Sequence, residues 1–451
     1  YAIAIPPAAK FVNISYELRN AVRLPGTYFI SPVSPLQVIG TNETTIFEQD
    51  TQIFAKNYRS IYESNEVFPS QFVEYVRTAG YRGYNLVDVQ VTPFSYRPLS
   101  GTLVFYSEMV LSVQYRIQDR EKAICFSPGG RIEQAAQSFI VNYADTHAWY
   151  RSMTVTANET YDFIIITVDS LTSAVAPLVD WETEKGRKVA VCTISDIDTQ
   201  YEGYDLAEKI RNFLRYQYPS TKWGIEDVLI VGHRNDIPMR RTVGGSGLPD
   251  PETDFYYAEL SLPDNESWDA DGDHQYGESS DPIDFYAELN VGRIPWSDPE
   301  IIRHICEKSV AFEQNTDPSF KNNILLLGAI VDQSTDGAIL MEYIANATIH
   351  PWMSSWMKTR LYDRNSPYNA DYILNHRNVV SVWSQGTYAI VAWNAHGNPY
   401  GSGNFIHVDD CSELNDEYPA IIAAASCSNS DTDYLNIGQA MMRQGAVGFL
   451  G

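Results

Sequence analysis

The sequence predicts a multidomain protein in which an N-terminal all-β sandwich is followed by an α/β region made of two parallel-sheet halves. Up to about residue 150, apolar and polar residues alternate in short runs, which is typical of strands with one buried face. From residue 162 onward, continuous apolar runs alternate with helical patterns, which indicates buried parallel strands joined by crossover helices. We therefore predict a β-sandwich at 1–150 and α/β halves at 151–320 and 321–451.

Two long runs carry the β pattern of the N-terminal region. Lys10–Tyr16 and Leu103–Tyr115 alternate in polarity over strand length, and Pro-Gly and Ser-Gly pairs mark turns in this region. No group of residues in this region has the composition of a catalytic site, so we look for chemistry further along the chain.

The first α/β half opens with the buried strand Asp162–Asp169. A helix, a strand, a helix and a strand follow it, at Leu171–Gly186, Lys188–Ile194, Asp205–Tyr218 and Asp227–Gly232. This β-α-β-α-β order indicates a parallel sheet with right-handed crossovers. An amphipathic helix at Pro299–Asn315 follows before the second half begins.

The second half opens with the buried strand Asn323–Asp332. We expect next a helix at 337–349, a strand near 359–362, a helix near 371–384 and two strands that lead to His396 and Cys427. The chain stops at Gly451 within a run that looks like a strand, so we expect this half to be incomplete at its C-terminus.

Charge and composition exclude several classes of partner. The formal net charge of −25 argues against binding to nucleic acid or to an anionic membrane surface. No apolar run approaches the roughly 20 residues that cross a membrane. The chain begins with Tyr1, which fits removal of an upstream signal. We expect a secreted or cell-surface glycoprotein, because glycosylation sequons occur at Asn13, Asn42, Asn158, Asn265 and Asn346.

A reactive side chain follows each of two apolar runs near the C-terminus. Tyr388–Asn394 leads to His396, and Pro419–Ser426 leads to Cys427. In parallel sheets, active sites lie beyond the carboxyl ends of the strands, so we expect the two side chains to be neighbours. A thiolate nucleophile beside an imidazole is what thiol catalysis needs, and the N–H of Gly397 can help to bind an oxyanion. The alternative is a buried structural cysteine and an ordinary loop histidine.

The other cysteines offer weaker sites. Five cysteines without a Cys-x-x-Cys pair make a disulfide framework or a metal cluster improbable. His407 and Cys411 have the spacing of a ligand pair but lack a second pair nearby, and Cys411 follows no buried strand.

An acidic loop is the best candidate for a metal site. Within Trp268–Glu278, carboxylates at alternate positions are separated by glycine turns, and a glutamate follows them. Calcium takes six to eight oxygen ligands, so this loop favours Ca²⁺, although the spacing is not that of an EF-hand. The expected ligands are Asp269, Asp271, Asp273, Glu278 and, from an upstream segment, Asp254. A solvated acidic loop without a metal is the alternative.

Several of these motifs resemble one family. The His-Gly and Ala-Ser-Cys-Ser sequences around His396 and Cys427, 31 residues apart, are similar to those of the gingipain-type cysteine peptidases, which belong to the caspase and legumain-like group. Asn436–Gly451 resembles the helix and strand that follow the nucleophile there, and Pro93–Tyr106 resembles the propeptide.

The resemblance implies a caspase-like catalytic region in a secreted cysteine endopeptidase, present as a proenzyme whose own prodomain acts as an intramolecular inhibitor. It implies protein or peptide substrates, Asp332 as a partner that orients the histidine, and Asp336 as an acid that binds a basic substrate side chain. It also implies that the family's second half continues beyond Gly451. A peptidase-like structural or adhesive surface protein without turnover is the alternative, and for the β-rich region the alternative is a plain binding module.

A processing site follows from the same reasoning. Arg151 is the only Arg or Lys between the β-rich region and the first parallel strand, in a stretch whose later part is small and polar. A pocket that selects basic residues would make Arg151 a site of self-cleavage.

Overall fold

The computed structural model describes residues 1–33, 44–117, 130–150, 159–244, 250–261, 267–332 and 335–451. These residues form two compact units. The first contains Tyr1–Glu159, Leu214–Gly224 and Arg240–Asn290, and the second contains Thr160–Phe213, Ile225–Met239 and Val291–Gly451. The predicted processing site Arg151 lies outside the described residues, as do Cys125 and the sequons at Asn42, Asn158 and Asn265.

The strands and helices follow one another along the chain as follows. The strands are β1 Ala2–Ile5, β2 Ala9–Arg23, β3 Val73–Tyr81, β4 Tyr84–Val91, β5 Phe94–Arg97, β6 Thr102–Ile117, β7 Phe163–Thr167, β8 Val189–Thr193, β9 Asp227–Val231, β10 Arg240–Arg241, β11 Glu252–Thr253, β12 Asn290–Ile294, β13 Asn323–Gly328, β14 Met357–Tyr362, β15 Tyr372–Ile373, β16 Ile390–Asn394, β17 Gly397–Asn398, β18 Gly401–Ser402, β19 Ile406–His407, β20 Ala420–Ala425 and β21 Ala446–Leu450. The helices are α1 Thr44–Tyr62, α2 Gly130–Phe139, α3 Tyr143–Trp149, α4 Ala176–Glu184, α5 Ile194–Gln200, α6 Leu206–Gln217, α7 Phe255–Ala258, α8 Pro299–Gln314, α9 Pro318–Lys321, α10 Ala338–Ala345, α11 His376–Gln385 and α12 Ile437–Arg443.

Two antiparallel sheets organise the first unit, with strand orders β1-β4-β3 and β2-β6-β5. Ile5, Val87 and Val89 of one sheet share a core with Tyr16 and Met109 of the other. Alternating apolar residues therefore point from both sheets into one layer, as the period-2 pattern predicts.

The prediction that residues 1–150 are all-β is wrong, because α1, α2 and α3 lie among the strands. In α1, Phe54, Tyr58 and Tyr62 lie four residues apart and their rings contact one another in series. In α2 and just after it, Ala136 and Ile140 are buried at the same spacing. This four-residue period is a helical signal, which the strongly alternating runs elsewhere in the region obscured.

The segment Arg240–Asn290 belongs to the first unit, although the sequence placed it in the first α/β half. The Gly80 N–H on β3 donates to Asp284 Oδ2 at 2.7 Å. Asp88 Oδ1 on β4 accepts from Tyr286 Oη at 3.0 Å. These bonds, which no local pattern reveals, fasten the segment to β3 and β4.

Two sheets form the core of the second unit. The smaller has the order β12-β9-β7-β8, and β7 is parallel to both β8 and β9. The larger has the order β15-β14-β13-β16-β20-β21, and every neighbouring pair is parallel. Helices border these strands, although the predicted helix near 371 begins only at His376, after the short strand β15. This alternation is the α/β architecture that the apolar runs predict.

The central strand β13 of the large sheet is buried on both faces. Leu325 and Leu327 of β13 join one apolar cluster, while Ile324 and Leu326 join another. Successive side chains of a strand point to opposite faces, so the continuous apolar run fills both layers. No helix in the described ranges is long and apolar enough to cross a membrane.

The buried carboxyl of Asp284 gives the first unit a predictable pH dependence. Burial raises its pKa to about 7, although the N–H groups of Gly80 and Tyr286 and the charge of Arg77 oppose the shift and Glu259 adds to it. A carboxyl whose pKa is higher in the folded state than the ordinary 3.8 stabilises the fold at low pH, and that contribution is lost as the pH rises towards 7.

We expect Asp284→Asn to flatten the pH dependence of thermal stability between pH 4 and pH 8, because the variant cannot ionise there. Circular-dichroism melting curves across this range measure it. Glu74→Gln, which alters an exposed side chain on β3, is the control and should keep the wild-type slope. Equal slopes in wild type and Asp284→Asn would contradict the assignment.

Candidate active site

The two predicted reactive side chains lie at neighbouring strand ends. β16 and β20 are parallel, and their register pairs Asn394 with Ala425. His396 and Cys427 each lie two residues beyond this pair, and both are exposed. The structure therefore places His396 and Cys427 at neighbouring strand ends on the carboxyl edge of the large sheet, where parallel sheets bind ligands.

Gly397 allows the two strand ends to approach closely. A Cβ atom at this position would lie 2.9 Å from the Cys427 nitrogen and would also collide with the Cys427 carbonyl oxygen. Any other residue would push the two loops apart, so the glycine is needed for this approach. The Cys427 N–H makes no hydrogen bond with another described residue, which leaves it available to an oxyanion.

The ring of His396 is held by a main-chain carbonyl. Its Nε2 lies 2.8 Å from the Val331 oxygen, and because a carbonyl only accepts, Nε2 carries the proton. Nδ1 is then the ring nitrogen that can take a proton from the thiol. The predicted orienting residue, Asp332, is exposed and directly follows Val331 in the chain, and its role stays a prediction. Sequence reasoning missed Val331 because a backbone contact has no residue-type signature.

Burial separates Cys427 from the other cysteines of the described chain. Cys427 is exposed, whereas burial raises the pKa of each remaining described thiol to about 12, at Cys192, Cys306 and Cys411. Because the thiolate is the nucleophile, a raised pKa disfavours these three thiols as nucleophiles at neutral pH. Cys411, the competing candidate beside His407, is therefore unsuited to attack a substrate.

A cleft of about 520 Å³ opens beside His396. The ends of several strands and a few polar side chains line this cleft. The lining residues are Ala329, Ile330, Asp363, Leu374, Asn375, His396, Gly397, Asn398, Gly403, Asn404 and Phe405. Asp363 is the one carboxylate among its described lining residues, and Oδ2 of this side chain accepts a hydrogen bond from the Ile330 N–H at 2.7 Å. The cleft can thus hold a polar or cationic group next to the imidazole.

Asp336, the predicted substrate-binding acid, is not part of this lining. Its Oδ1 accepts from the Ala338 N–H at 2.9 Å and its Oδ2 from Ser366 Oγ at 2.7 Å. Both oxygens are engaged just before α10, so the carboxylate fixes the backbone that leads into this helix.

The acidic loop brings together three of the five predicted metal ligands. One carboxylate oxygen from each of Asp269, Asp271 and Asp273 lies within 4.8 Å of the other two. Glu278 and Asp254 do not belong to this group of described residues. Asp281, which sequence reasoning missed, accepts three backbone N–H groups of the loop, from Ala270, Gly277 and Glu278, at 2.8, 2.8 and 3.1 Å.

Comparisons with known proteins agree on one family. The model of peptidase family C25 matches residues 156–451, and the model of the C25 propeptide matches residues 37–153. The two matches divide the chain near the predicted boundary between the β-rich region and the first parallel strand.

Curated relatives are gingipains of Porphyromonas gingivalis. Gingipain R2 is 21% identical over 388 residues, which cover 83% of this chain and 46% of that protein. Gingipain R1 is 21% identical over 387 residues, which cover 83% of this chain and 34% of that protein. The chain thus spans less than half the length of these relatives.

Solved structures that align with the chain include two of gingipain. The Arg-specific cysteine proteinase gingipain R (RgpB) aligns with a TM-score of 0.49 and 18% identity over 66% of this chain and 63% of that chain. The complex of the Porphyromonas gingivalis RgpB pro- and mature domains aligns with the same TM-score and identity over 64% of this chain and 63% of that chain. Because the peptidase model spans well over half of the sequence, the resemblance to the gingipain-type peptidases is confirmed, and the chain belongs to peptidase family C25.

Proposed function

We propose that this protein is a cysteine endopeptidase in its proenzyme form, with Cys427 as nucleophile and His396 as general acid and base. The observation that carries the proposal is an exposed thiol and an imidazole at adjacent ends of two parallel strands. The alternative, a catalytically silent surface protein, does not explain why the Cys427 thiol is exposed next to a main-chain N–H that makes no hydrogen bond with another described residue.

The geometry supports a sequence of proton and acyl transfers. Cys427 Sγ attacks the substrate carbonyl carbon while its proton passes to Nδ1 of His396. The N–H groups of Cys427 and Gly397 bind the oxyanion of the tetrahedral intermediate. His396 returns the proton to the leaving amine, and a thioester remains on Cys427. Water, deprotonated by His396, then hydrolyses the thioester and regenerates the thiol.

The N-terminal region is proposed to act as an intramolecular inhibitor until it is cut away. The match to a C25 propeptide at residues 37–153 supports this role. Arg151 stays the predicted cleavage site, since it falls within the matched region close to its end. Export from the cell is proposed from the sequons, of which Asn13 and Asn346 lie in described parts of the chain.

The proposed substrate preference is for a basic residue before the cleaved bond. The relatives named gingipain R, one described as Arg-specific, support this preference. A guanidinium or ammonium group needs a carboxylate to bind it in a partly dehydrated cleft. Asp336 was the acid expected from the sequence. Asp363, however, lines the cleft beside His396, and its Oδ1 makes no hydrogen bond with another described residue.

Calcium binding at the acidic loop is a separate proposal. Three carboxylates converge, and the loop that carries them is held in shape by Asp281. Hard carboxylate oxygens suit Ca²⁺, which would neutralise their mutual repulsion and stabilise the loop. Main-chain carbonyls or water would complete the coordination.

We expect Cys427→Ala and His396→Ala each to lower kcat for peptide cleavage by roughly four orders of magnitude or more, because each removes a partner in proton transfer. The melting temperature should hardly change, since both side chains are exposed. Steady-state kinetics with a fluorogenic peptide measure the loss after removal of the prodomain. Cys411→Ala is the matched control. Activity in Cys427→Ala would refute the proposed nucleophile.

We expect Asp363→Asn to lower kcat/KM for arginyl and lysyl substrates by at least about tenfold, because the neutral amide cannot pair with the cation. Asp336→Asn should mainly lower stability, by about 1 kcal/mol, because an amide keeps only one of the two oxygens that accept hydrogen bonds from Ala338 and Ser366. Paired kinetics and melting curves on the two isosteric variants separate these roles. The reverse pattern would restore Asp336 as the specificity residue.

We expect Ca²⁺ to raise the melting temperature by roughly 5 °C at saturating concentration, through binding to the folded state alone. Calorimetry with and without a chelator at constant ionic strength measures the shift. Asp271→Asn should abolish most of it, whereas Asp317→Asn, an acid outside the loop, should not. Coincident wild-type curves would rule out the site.

A further inference from the structure

A single buried side chain joins the two loops that carry His396 and Cys427. Asn429 lies two residues after Cys427 and has no exposed surface. The residue between them, Ser428, has a left-handed backbone with φ +58°, which turns the chain sharply back into the protein after the thiol. The turn thus presents Cys427 to solvent and Asn429 to the interior.

Every hydrogen-bonding position of the Asn429 amide is used. Its Nδ2 donates to the carbonyl oxygens of Asn398 at 2.9 Å and Gly401 at 3.1 Å. Its Oδ1 accepts from Ser402 Oγ at 2.6 Å and from Ser426 Oγ. Two donors and two acceptors surround a group with two of each, so its orientation is fixed.

Three of the four partners belong to the loop that begins at His396. Asn398 and Gly401 lie on the small antiparallel pair β17 and β18, which starts directly after the histidine. The Gly403 N–H donates to the His396 carbonyl at 2.7 Å and closes this loop. Asn429 therefore connects the turn that carries Cys427 to the loop that begins at His396. This connection lies beyond the last paired residues of β16 and β20.

A hydrogen bond from strand β16 also holds the turn that carries Cys427. Trp393 is fully buried on β16, and its Nε1 donates to Ser426 Oγ at 2.8 Å. Ser426 in turn donates to Asn429. The network therefore runs from the strand that leads to the histidine, through the residue before Cys427, to Asn429.

We propose that Asn429 is a positioning residue for the reaction, which holds the His396 loop against the Cys427 turn so that imidazole and thiol keep their relative placement. The inference rests on the proposed function. Without the amide, two carbonyl oxygens and two hydroxyl groups are left without their partner in a buried site, and the loops separate to hydrate them. A displacement of about 1 Å in a reacting group is enough to lower a rate by roughly 10²-fold.

The test uses Asn429→Ala and the isosteric Asn429→Asp in the full chain after activation. The aspartate variant still accepts from both serines but donates to neither carbonyl, so it should not rescue the alanine variant. We expect kcat to fall by roughly 10- to 100-fold with KM changed by less than about threefold. The rate of Cys427 alkylation by iodoacetamide should fall in parallel, because the imidazole no longer takes up the thiol proton.

The matched control is Asn436→Ala. Asn436 is also a buried asparagine after the nucleophile, but its side chain binds the Gln439 N–H and the Asp431 carbonyl at the start of α12. Asn436→Ala should lower the stability of the protein but change the rate of Cys427 alkylation by less than about threefold. An equal loss of reactivity in Asn436→Ala, or wild-type kcat and alkylation in both Asn429 variants, would overturn the inference.

Ser402→Ala keeps the proposal testable if the Asn429 variants do not fold. It removes one hydroxyl donor to Oδ1 and leaves the two carbonyl contacts, so kcat and alkylation should fall by roughly three- to tenfold. Wild-type values in folded Ser402→Ala would then count against the inference. Cleavage by Cys427→Ala would instead defeat the proposed function itself, which separates the two failures.

Discussion

The parallel register between β16 and β20 is the constraint on which the site depends. Val391, Trp393 and Ile422 of these strands share one buried apolar layer, whereas Ile421 of β20 is 40% exposed on the other face. A shift of one residue would turn each strand over and bury the thiol or the imidazole. The hydrophobic core therefore holds the strands in register, and the reactive residues occupy the first positions where the sheet no longer determines the backbone.

Beyond the last paired residues, polar contacts take over from apolar packing. The glycine at 397 sets the distance between the backbones, Val331 orients the imidazole ring, and Asn429 joins the loops. The hydrogen bonds of Val331 and Asn429 are directional, whereas the burial of apolar surface is not. This division explains why one edge of a very apolar sheet can present a thiol and an imidazole to solvent in a fixed arrangement.

Local patterns predicted the parts of the fold that are locally encoded. The strand ends at His396 and Cys427 follow from apolar runs and the residues after them, and the carboxylates at 269, 271 and 273 follow from their spacing. The helices α1 to α3 were missed because the strongly alternating strands dominate the pattern of the N-terminal region. The roles of Val331, Asp363 and Asn429 depend on contacts between distant parts of the chain, which one sequence does not display.

The contacts between Arg240–Asn290 and the N-terminal strands change what a cut near residue 151 would accomplish. Such a cut breaks a peptide bond but leaves Gly80 bonded to Asp284 and Asp88 bonded to Tyr286. Before the cut, the partners share one chain, and their effective concentration is on the order of millimolar. Afterwards their association becomes bimolecular, so the bound fraction depends on how far the two pieces are diluted. Dilution of the two pieces into a large volume, rather than cleavage alone, would then determine when they separate.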